Sequence, residues 1–438
     1  MVQAILVLMT LLLVSTSSAA QAKKDDSLDH IDLYLHTFDV GNMIYTNFGH
    51  SAIRVKNRKD GTDVIYNWGM FDFGSPLSFS LKFYMGDLRY RLGVYSYRRA
   101  MAQYKYDRRT IWEDKLNFTP EEKKVFYERI VRNNTPEEAY FQYQYFFANC
   151  STKIRDHIDA TLGKTWEASL EGQTSAKSFR DMVREGYQLN PSMDFLLEIG
   201  MNSRLDRPMT RWEAMFHPFA LREELLTFRN GVGDPLMIEG KKIVTFPRPE
   251  AYPYVFRLLA AILAVPLVFA IFLLQKRAWK SEPEELLEPF IGLRILGILA
   301  LPLILFFGFC GLVLPLNWLL SGHQDLHHNV NMMFFLPFDW VFLPVAWHLL
   351  RKKSPKLLTQ KYIKILRKYL ILHLLLGFAV IYTWATGDGS QDVGRVMLVA
   401  IPYKLTLALM VNFGLTSGKT EGKKRGLSAR RSKPVAGA

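Results

Sequence analysis

Residues 47–55, NFGHSAIRV, and residues 145–156, YFFANCSTKIRD, are the two stretches that decide the fold of the first half of the chain. His50 stands at the head of an alternating apolar run, which predicts a β-strand. Cys150 opens a polar run that favours a helix, and a thiol at a helix N-terminus ionises more easily because the exposed N–H groups and the dipole favour the thiolate. A histidine beside it would accept the proton, so we predict a nucleophilic pair of Cys150 and His50. The alternative is a small core cysteine and a hydrogen-bonded histidine without a catalytic role.

The surroundings of His50 predict a β-hairpin that brings a third polar side chain to the imidazole. The predicted strands are 32–38, 51–56 and 64–68, with an Asp-Gly turn at 60–61. The end of the last strand would return toward His50, so Asn67 and Asp72 are candidates to orient its ring. A shift of one residue in register would change which side chains face the ring, and Asn67 would then be an edge or turn residue.

Helix signals flank the cysteine on both sides. Thr119 followed by Pro120 is a helix start, and the helix should run to about Arg132. The segment TPEE at 135–138 repeats that signal. For the helix that Cys150 opens, we predict a cap at Asn149 or its neighbour and an end at Gly163.

Composition divides the chain of 438 residues into two halves. Up to about Pro249 it is mixed, charged and rich in aromatic residues, as in a soluble domain, and beyond Tyr252 it is a series of long apolar runs. The formal net charge of +14 is concentrated in basic clusters just outside the apolar runs, where cytoplasmic loops collect positive charge. Because no recognisable module carries a stripe of basic and aromatic residues, we predict no nucleic-acid partner.

The predicted organisation is that of an exported domain followed by a membrane domain. Residues 1–22 read as a signal peptide with a small-x-small ending, 23–248 as the extracytoplasmic catalytic domain, 249–415 as a transmembrane domain, and 416–438 as a basic cytoplasmic tail. An uncleaved N-terminal anchor is the alternative to the signal peptide. We predict five transmembrane helices, each close to the ~20 residues that a bilayer requires, at 254–275, 291–313, 332–350, 366–386 and 395–414.

The chain has two cysteines, Cys150 and Cys310, and Cys310 lies inside an apolar run. The two thiols should therefore lie in different phases, and we do not expect a disulfide between them. A free thiol in an exported domain favours a reactive role for Cys150.

Polar residues in the membrane half allow several interpretations. The loop with His323, His327 and His328 has no ligand spacing of a known metal site, so we predict no metal and consider contact with a lipid headgroup instead. Asp339 and Lys404 lie within apolar segments, where charges are costly unless paired, and a structural ion pair is the expectation. Residues 77–115 mix aromatic and basic side chains, which fits either a surface near lipid headgroups or an ordinary solvated face.

The order of the two motifs, histidine first at a hairpin strand and cysteine later at a helix start, resembles the circularly permuted branch of the NlpC/P60 papain-like superfamily. Within it, the segments at 48–55, 148–156 and 212–216 (WEAMF) resemble the DUF4105 family, which includes lipoprotein N-acyltransferases of the Lnb type. The resemblance implies an α+β fold, with a permuted papain-like domain before the membrane helices. It covers about residues 30–230, and the membrane half is similar in layout only.

That resemblance also implies a function. Cys150 would be the nucleophile, His50 the general base, and Asn67 the orienting group, with Tyr66 or Asp72 as alternatives for the last role. The thiolate would take an acyl chain from a phospholipid donor and pass it to the α-amino group of a diacylglyceryl lipoprotein acceptor, at the periplasmic face of the inner membrane and without a cofactor. Backbone N–H groups at the Cys150 helix start are expected to hold the oxyanion.

Two other functions compete with acyl transfer. A cysteine amidopeptidase or a lipid hydrolase of the cell envelope would use the same pair of residues, although a cell-wall enzyme has less need of five membrane spans. A non-catalytic membrane sensor or transport component would have no need of the thiol, and only the intramembrane Asp339 and Lys404 favour it.

Overall fold

The computed structural model describes residues 28–71, 74–252, 255–280, 291–351, 360–387 and 391–414. The predicted signal peptide (1–22), Asp72 and the predicted basic tail (416–438) lie outside the described residues.

An antiparallel sheet of seven strands forms the centre of the N-terminal domain, in the order β6-β4-β3-β2-β1-β5-β9. A separate two-stranded sheet pairs β7 with β8. The strands are β1 Ile31–Phe38, β2 His50–Asn57, β3 Asp63–Phe71, β4 Arg89–Ser96, β5 Ile111–Leu116, β6 Tyr140–Gln142, β7 Thr174–Ser178, β8 Pro208–Thr210 and β9 Met237–Val244. The predicted hairpin is confirmed as β2 and β3, and Gly61 supplies the left-handed backbone of its turn with φ +76°.

Helices cover both faces of this sheet. They are α1 Pro76–Met85, α2 Tyr97–Tyr106, α3 Pro120–Asn133, α4 Cys150–Thr161, α5 Thr165–Ser169, α6 Phe179–Tyr187, α7 Pro191–Gly200, α8 Arg211–Ala214 and α9 Pro218–Thr227. One apolar cluster joins the sheet to α3, α4 and α9, and a smaller one joins the opposite face to α2. The strand that begins at His50 and the helix that begins at Cys150 are therefore held from both sides of the sheet.

The predicted helix starts have different outcomes. Thr119 caps α3 in a capping box with Glu122, and Asn149 caps α4, as predicted. The TPEE segment at 135–138 is not a helix start. It forms a turn in which the Ala139 N–H donates to the Thr135 carbonyl, and the chain then continues into β6, because pairing with β4 satisfies its backbone.

In the described part of the membrane half, four helices are long and apolar enough to cross a bilayer. We number the helices of this half α10 to α14. They are α10 Val255–Lys280, α11 Ile291–Leu320, α12 Leu343–Leu350, α13 Gln360–Thr386 and α14 Gly394–Gly414. The short α12 is the exception, and its eight residues would rise only about 12 Å, well short of a bilayer.

The stretch predicted as the third transmembrane helix, 332–350, is therefore not a continuous helix. It consists of the 3-10 turns Val330–Met333 and Asp339–Phe342, followed by α12. It lies along α11, whose glycines admit it: a side chain on Gly311 would meet the Leu336 backbone at 2.5 Å. Pro337 lacks an N–H, and a neighbouring side chain satisfies part of the broken backbone, since Tyr362 donates to the Val341 carbonyl. The Trp340 ring in turn donates to the Leu305 carbonyl of α11 at 3.2 Å.

The predicted Asp339–Lys404 pair is not a direct contact. His373, at the midpoint of α13, lies between them: its Nε2 is 3.1 Å from Asp339 Oδ2, and its Nδ1 contacts Lys404 Nζ. The hydroxyl of Tyr403 also donates to Asp339 at 2.7 Å, and that of Tyr369 does so at 3.0 Å. We call these five residues the intramembrane cluster. The space for the lysine comes from Gly377, where a Cβ would meet Lys404 Cε at 2.7 Å.

Polar contacts connect the two halves of the molecule at the end of α7. The Asn329 Nδ2 group donates to the carbonyls of Ile199, Gly200 and Met201 at 2.8, 2.6 and 3.2 Å, so one amide serves the last carbonyls of that helix. Nearby, Arg184 Nη1 lies 2.8 Å from Asp392 Oδ2. The end of the sheet that carries His50 is thereby held next to the membrane helices.

Candidate functional site

His50 is the first residue of β2, and its imidazole is held by the next strand. Its Nε2 lies 2.8 Å from Asn67 Oδ1, which also accepts the N–H of Gly69 at 2.8 Å. The other end of the Asn67 amide donates to the Tyr95 hydroxyl at 2.7 Å. With Nε2 occupied in this way, Nδ1 is the ring nitrogen left for the thiol.

Two glycines make room for the histidine. Gly49 has φ +82°, and a Cβ there would collide with the Phe38 carbonyl oxygen, so only glycine fits. The β2–β3 register pairs Ile53 with Tyr66, and continuing it places Gly69 opposite His50. A Cβ on Gly69 would meet His50 Cε1 at 2.7 Å. The imidazole can occupy this position because Gly69 has no side chain.

Cys150 is the first residue of α4, where Asn149 fixes the start of the helix. Asn149 Oδ1 accepts the N–H groups of Ser151 and Thr152 at 2.9 and 3.0 Å. The N–H groups of Ser151 and Thr152 are therefore not available to an oxyanion. Of the first three backbone donors of α4, the N–H of Cys150 is the one left for the predicted oxyanion site. The Asn149 Nδ2 group donates to the Phe216 carbonyl at 3.0 Å.

The WEAMF segment at 212–216 supports the cysteine helix from behind. Besides the Phe216 carbonyl, the Trp212 carbonyl accepts a hydrogen bond of 2.8 Å from Arg155, and the guanidinium lies 4.1 Å from the Trp212 ring centroid. These contacts orient α4 and leave the thiol facing the other way, toward β2.

The residues that follow the histidine and the cysteine hold the two elements together. Ser51 Oγ and Ser151 Oγ are both buried and lie 3.0 Å apart. Burial of the Cys150 thiol acts to raise its pKa, but the His50 imidazole, by its charge and a hydrogen bond, together with the Ser51 N–H and the Ser151 hydroxyl, lowers that pKa to about 7. The structure thus brings the predicted pair into contact across 100 residues of sequence.

Of the two candidates for the orienting role that the structure describes, Asn67 and Tyr66, Asn67 is the one in contact with the imidazole. Tyr66 points to the opposite face of the sheet, where it is buried in the apolar core and burial raises its pKa to about 12. Sequence reasoning missed Tyr95 and the Ser51–Ser151 bond, because both contacts depend on strand register and helix packing rather than on a local motif.

The histidine-rich loop is a structural contact in this molecule. His323 Nε2 lies 2.6 Å from the Phe83 carbonyl, His327 Nε2 lies 2.8 Å from the Ser321 carbonyl, and His328 packs on Trp318. Within the described ranges, no three His, Cys, Asp or Glu side chains are grouped as metal ligands.

Comparison with known proteins found a family model that matches part of the N-terminal domain. Residues 18–185 match the family model of the Lnb N-terminal periplasmic domain, a range that contains His50, Asn67 and Cys150. Neither a search of curated proteins nor one of solved structures returned a match. The family match and the four apolar helices support a membrane protein of the Lnb type with a periplasmic N-terminal domain.

Proposed function

We propose that this protein is a membrane-bound cysteine acyltransferase. It moves an acyl chain from a phospholipid to the α-amino group of the lipid-modified N-terminal cysteine of a lipoprotein. The observation that carries the proposal is the Cys150–His50–Asn67 contact in a domain that matches the Lnb periplasmic family. The resemblance to the DUF4105 family and its permuted papain-like fold supplies the substrate class.

The first half-reaction forms a thioester. The Cys150 thiolate attacks the carbonyl carbon of the phospholipid ester, and the negative charge moves to the carbonyl oxygen, which the Cys150 N–H faces. When this intermediate collapses, the carbon–oxygen bond of the ester breaks and the protonated His50 gives its proton to the departing glycerol oxygen. A lysophospholipid leaves, and the acyl chain remains on sulfur.

The second half-reaction forms the amide. The acceptor amine attacks the thioester carbonyl, His50 Nδ1 takes the proton that the amine loses, and the carbon–sulfur bond breaks to restore the thiolate. Asn67 holds His50 Nε2 through both steps, so the ring keeps one orientation. Two such steps replace one difficult ester-to-amide transfer.

The half-buried position of the pair, between aromatic rings, favours this outcome over hydrolysis. Phe38 packs on the imidazole with ring centroids 5.5 Å apart, and stacked tyrosines, Tyr90 and Tyr143, lie on the cysteine side. These rings limit access of water to a thioester on Cys150. An amine delivered at the membrane surface therefore competes well with water.

Mass spectrometry of a lipoprotein N-terminal peptide tests the proposal. Cells that lack any other N-acylating enzyme receive the wild type, Cys150→Ala, or the matched control Cys310→Ala, which removes the other thiol in a spanning helix. The wild type and Cys310→Ala should add the mass of one acyl chain to the amine, and Cys150→Ala should add none. An unmodified amine with all three proteins would contradict the proposal.

The runner-up is a lipid hydrolase, for which the same thiol and imidazole suffice. Radiolabelled phospholipid in reconstituted vesicles distinguishes the two: an acyltransferase releases little free fatty acid and needs the lipoprotein for turnover. Steady release of fatty acid without an acceptor would favour the hydrolase. Lysis zones on purified cell wall would instead favour an amidopeptidase.

A further inference from the structure

Helix α1 (Pro76–Met85) presents an apolar stripe to the outside of the N-terminal domain. Leu77, Leu81 and Met85 follow one another at helical spacing, and the first two are 70% and 50% exposed. The loop 43–45 adds a second exposed apolar group, and its Tyr45 ring lies 6.3 Å from Phe71. We call α1 and this loop the apolar rim.

Hydrogen bonds to the membrane half fix the position of the apolar rim relative to the end of α11. The Tyr84 hydroxyl donates to Asn317 Oδ1 at 2.6 Å, the Ser321 hydroxyl donates to the Tyr84 carbonyl at 2.7 Å, and the Gly322 N–H donates to the Met85 carbonyl at 2.9 Å. All three contacts lie at the end of α11, where that candidate span leaves the bilayer. The side chains of α11 next to them, from Trp318 to Leu320, are exposed and apolar, and tryptophan is typical of the interface.

A column of aromatic rings leads from α1 to the cysteine. Phe83 stacks on Phe79 with centroids 6.5 Å apart, Phe79 packs on Phe71 at 5.4 Å, and Phe71 stacks on Tyr90 at 4.7 Å. Tyr90 in turn stacks on Tyr143 at 4.2 Å. Directly after Tyr143, the Gln144 N–H donates to the Ala148 carbonyl at 3.0 Å, so this end of the column lies next to the turn that leads into Cys150.

We propose that the apolar rim inserts into the periplasmic leaflet and that the acyl chain of a phospholipid lies along the column of Phe83, Phe79, Phe71 and Tyr90 to reach Cys150. The substrate class rests on the proposed function, whereas the insertion does not. The occupant is a phospholipid because the rim is fixed to the end of a spanning helix. A water-soluble ligand bound at the end of that helix would leave the exposed leucines of α1 without an apolar partner.

Photo-crosslinking tests the insertion without relying on acyl transfer. A benzophenone amino acid replaces Leu81 in the full chain, which is reconstituted in vesicles of phosphatidylethanolamine and phosphatidylglycerol without any lipoprotein. Val232 is the matched control, since it is 71% exposed and precedes the start of β9 at Met237. That start lies at the end of the strands opposite to His50. Illumination should add the mass of a phospholipid at position 81 and not at position 232.

The column is tested by transfer of a labelled acyl chain from the same vesicles to a lipoprotein peptide. Leu81→Asp should lower transfer roughly tenfold or more, because it places a charge in the leaflet, whereas Val232→Asp should leave it unchanged. Phe79→Ala should shift the preferred acyl length, a readout that simple misfolding does not produce.

The outcomes separate this inference from the proposed function. Crosslinking at 81 without any transfer activity would leave the insertion in place and overturn the acyltransferase. Full activity without crosslinking at 81, or with adducts to protein only, would overturn the insertion and leave the acyltransferase standing. An unchanged acyl preference in Phe79→Ala would overturn the column.

Discussion

At the scale of single residues, the imidazole of His50 changes the chemistry of the Cys150 sulfur. His50, with the Ser51 N–H and the Ser151 hydroxyl, lowers the pKa of the Cys150 thiol to about 7 against the opposing effect of burial. In a Cys310→Ala background, alkylation of Cys150 by iodoacetamide should therefore rise with pH through a midpoint near 7, because the thiolate is the reactive form. His50→Ala removes the largest lowering influence and should move the midpoint toward the ordinary thiol range. The same midpoint in both proteins would show that the pair is not coupled.

Asn67 should matter through the orientation of the ring. Asn67→Ala leaves His50 Nε2 without its partner at 2.8 Å, and we expect acyl transfer to fall roughly a hundredfold, within the range that positioned acid–base groups contribute. Tyr95→Phe is the matched control, since it removes the outer bond to the Asn67 amide and a 3.2 Å contact with the Tyr104 hydroxyl but keeps the ring and the Asn67–His50 bond. Rates for the two variants at several pH values provide the comparison, and equal losses would argue against a specific role for Asn67.

Sequence alone identified the histidine, the cysteine and the Asn149 cap because each belongs to a local pattern that ends in a strand or a helix start. It could not choose between Asn67, Tyr66 and Asp72. The choice between Asn67 and Tyr66 depends on which face of β3 each side chain occupies, and a shift of one residue exchanges the faces. The β3–β4 pairing indeed changes register between Asn67 and Met70.

At the scale of elements, one glycine on β3 controls the position of the ring. Gly69→Ala would place a methyl group 2.7 Å from His50 Cε1, so the imidazole must move away from the thiol. We expect a large loss of transfer activity with little change in the melting temperature. The control is Gly200→Ala, where the new methyl would meet only a Leu326 methyl at an ordinary 3.7 Å. A melting temperature that falls as far as the activity would point to general destabilisation instead.

The interrupted segment shows what hydropathy does not reveal. Counting apolar residues over 332–350 gives a stretch long enough to span a bilayer. The count takes no account of Pro337, of the glycines on α11 or of the Tyr362 side chain that satisfies part of the broken backbone. His373 was missed for a related reason. It lies within a stretch that reads as an ordinary span, and its partners are on two other segments of the chain.

The intramembrane cluster should contribute strongly to stability. Lys404→Leu removes one cation and leaves Asp339 with His373 and two hydroxyl donors, while Asp339→Leu leaves the lysine without its counter-ion. Breaking a buried charged group in this way costs on the order of 3–5 kcal/mol, so both variants should melt at lower temperature in detergent. Lys404→Arg does not serve as a conservative replacement, because the space beside Gly377 fits the narrow lysine chain. If the double variant Asp339→Leu/Lys404→Leu loses the sum of the two single losses in stability, the two residues are not energetically coupled.

At the scale of the whole molecule, the two halves are connected by polar contacts around the end of α7. Asn329→Ala would remove the amide that contacts three carbonyls at the end of that helix. Ile199 and Met201 keep Asn331 and Arg180 as donors, so the loss falls mainly on the Gly200 carbonyl, and an unsatisfied carbonyl costs about 1–3 kcal/mol. We expect a lower melting temperature and faster proteolysis of the linker at 245–252. The exposed Asn134, substituted by Ala, is the control, and a similar small effect in both variants would show that this contact does not hold the halves together.

The placement of the sheet also affects how the reaction depends on lipid. Because α1, which packs on the His50 end of the sheet through Phe79 and Phe71, is hydrogen-bonded to the end of the candidate span α11, we expect the thiol of the proposed enzyme to stay at the bilayer surface. Encounters therefore occur in two dimensions, and the rate should follow the mole fraction of donor phospholipid in the vesicle rather than its bulk concentration. Diluting the donor with an inert lipid should slow the reaction, whereas adding buffer at constant vesicle composition should not.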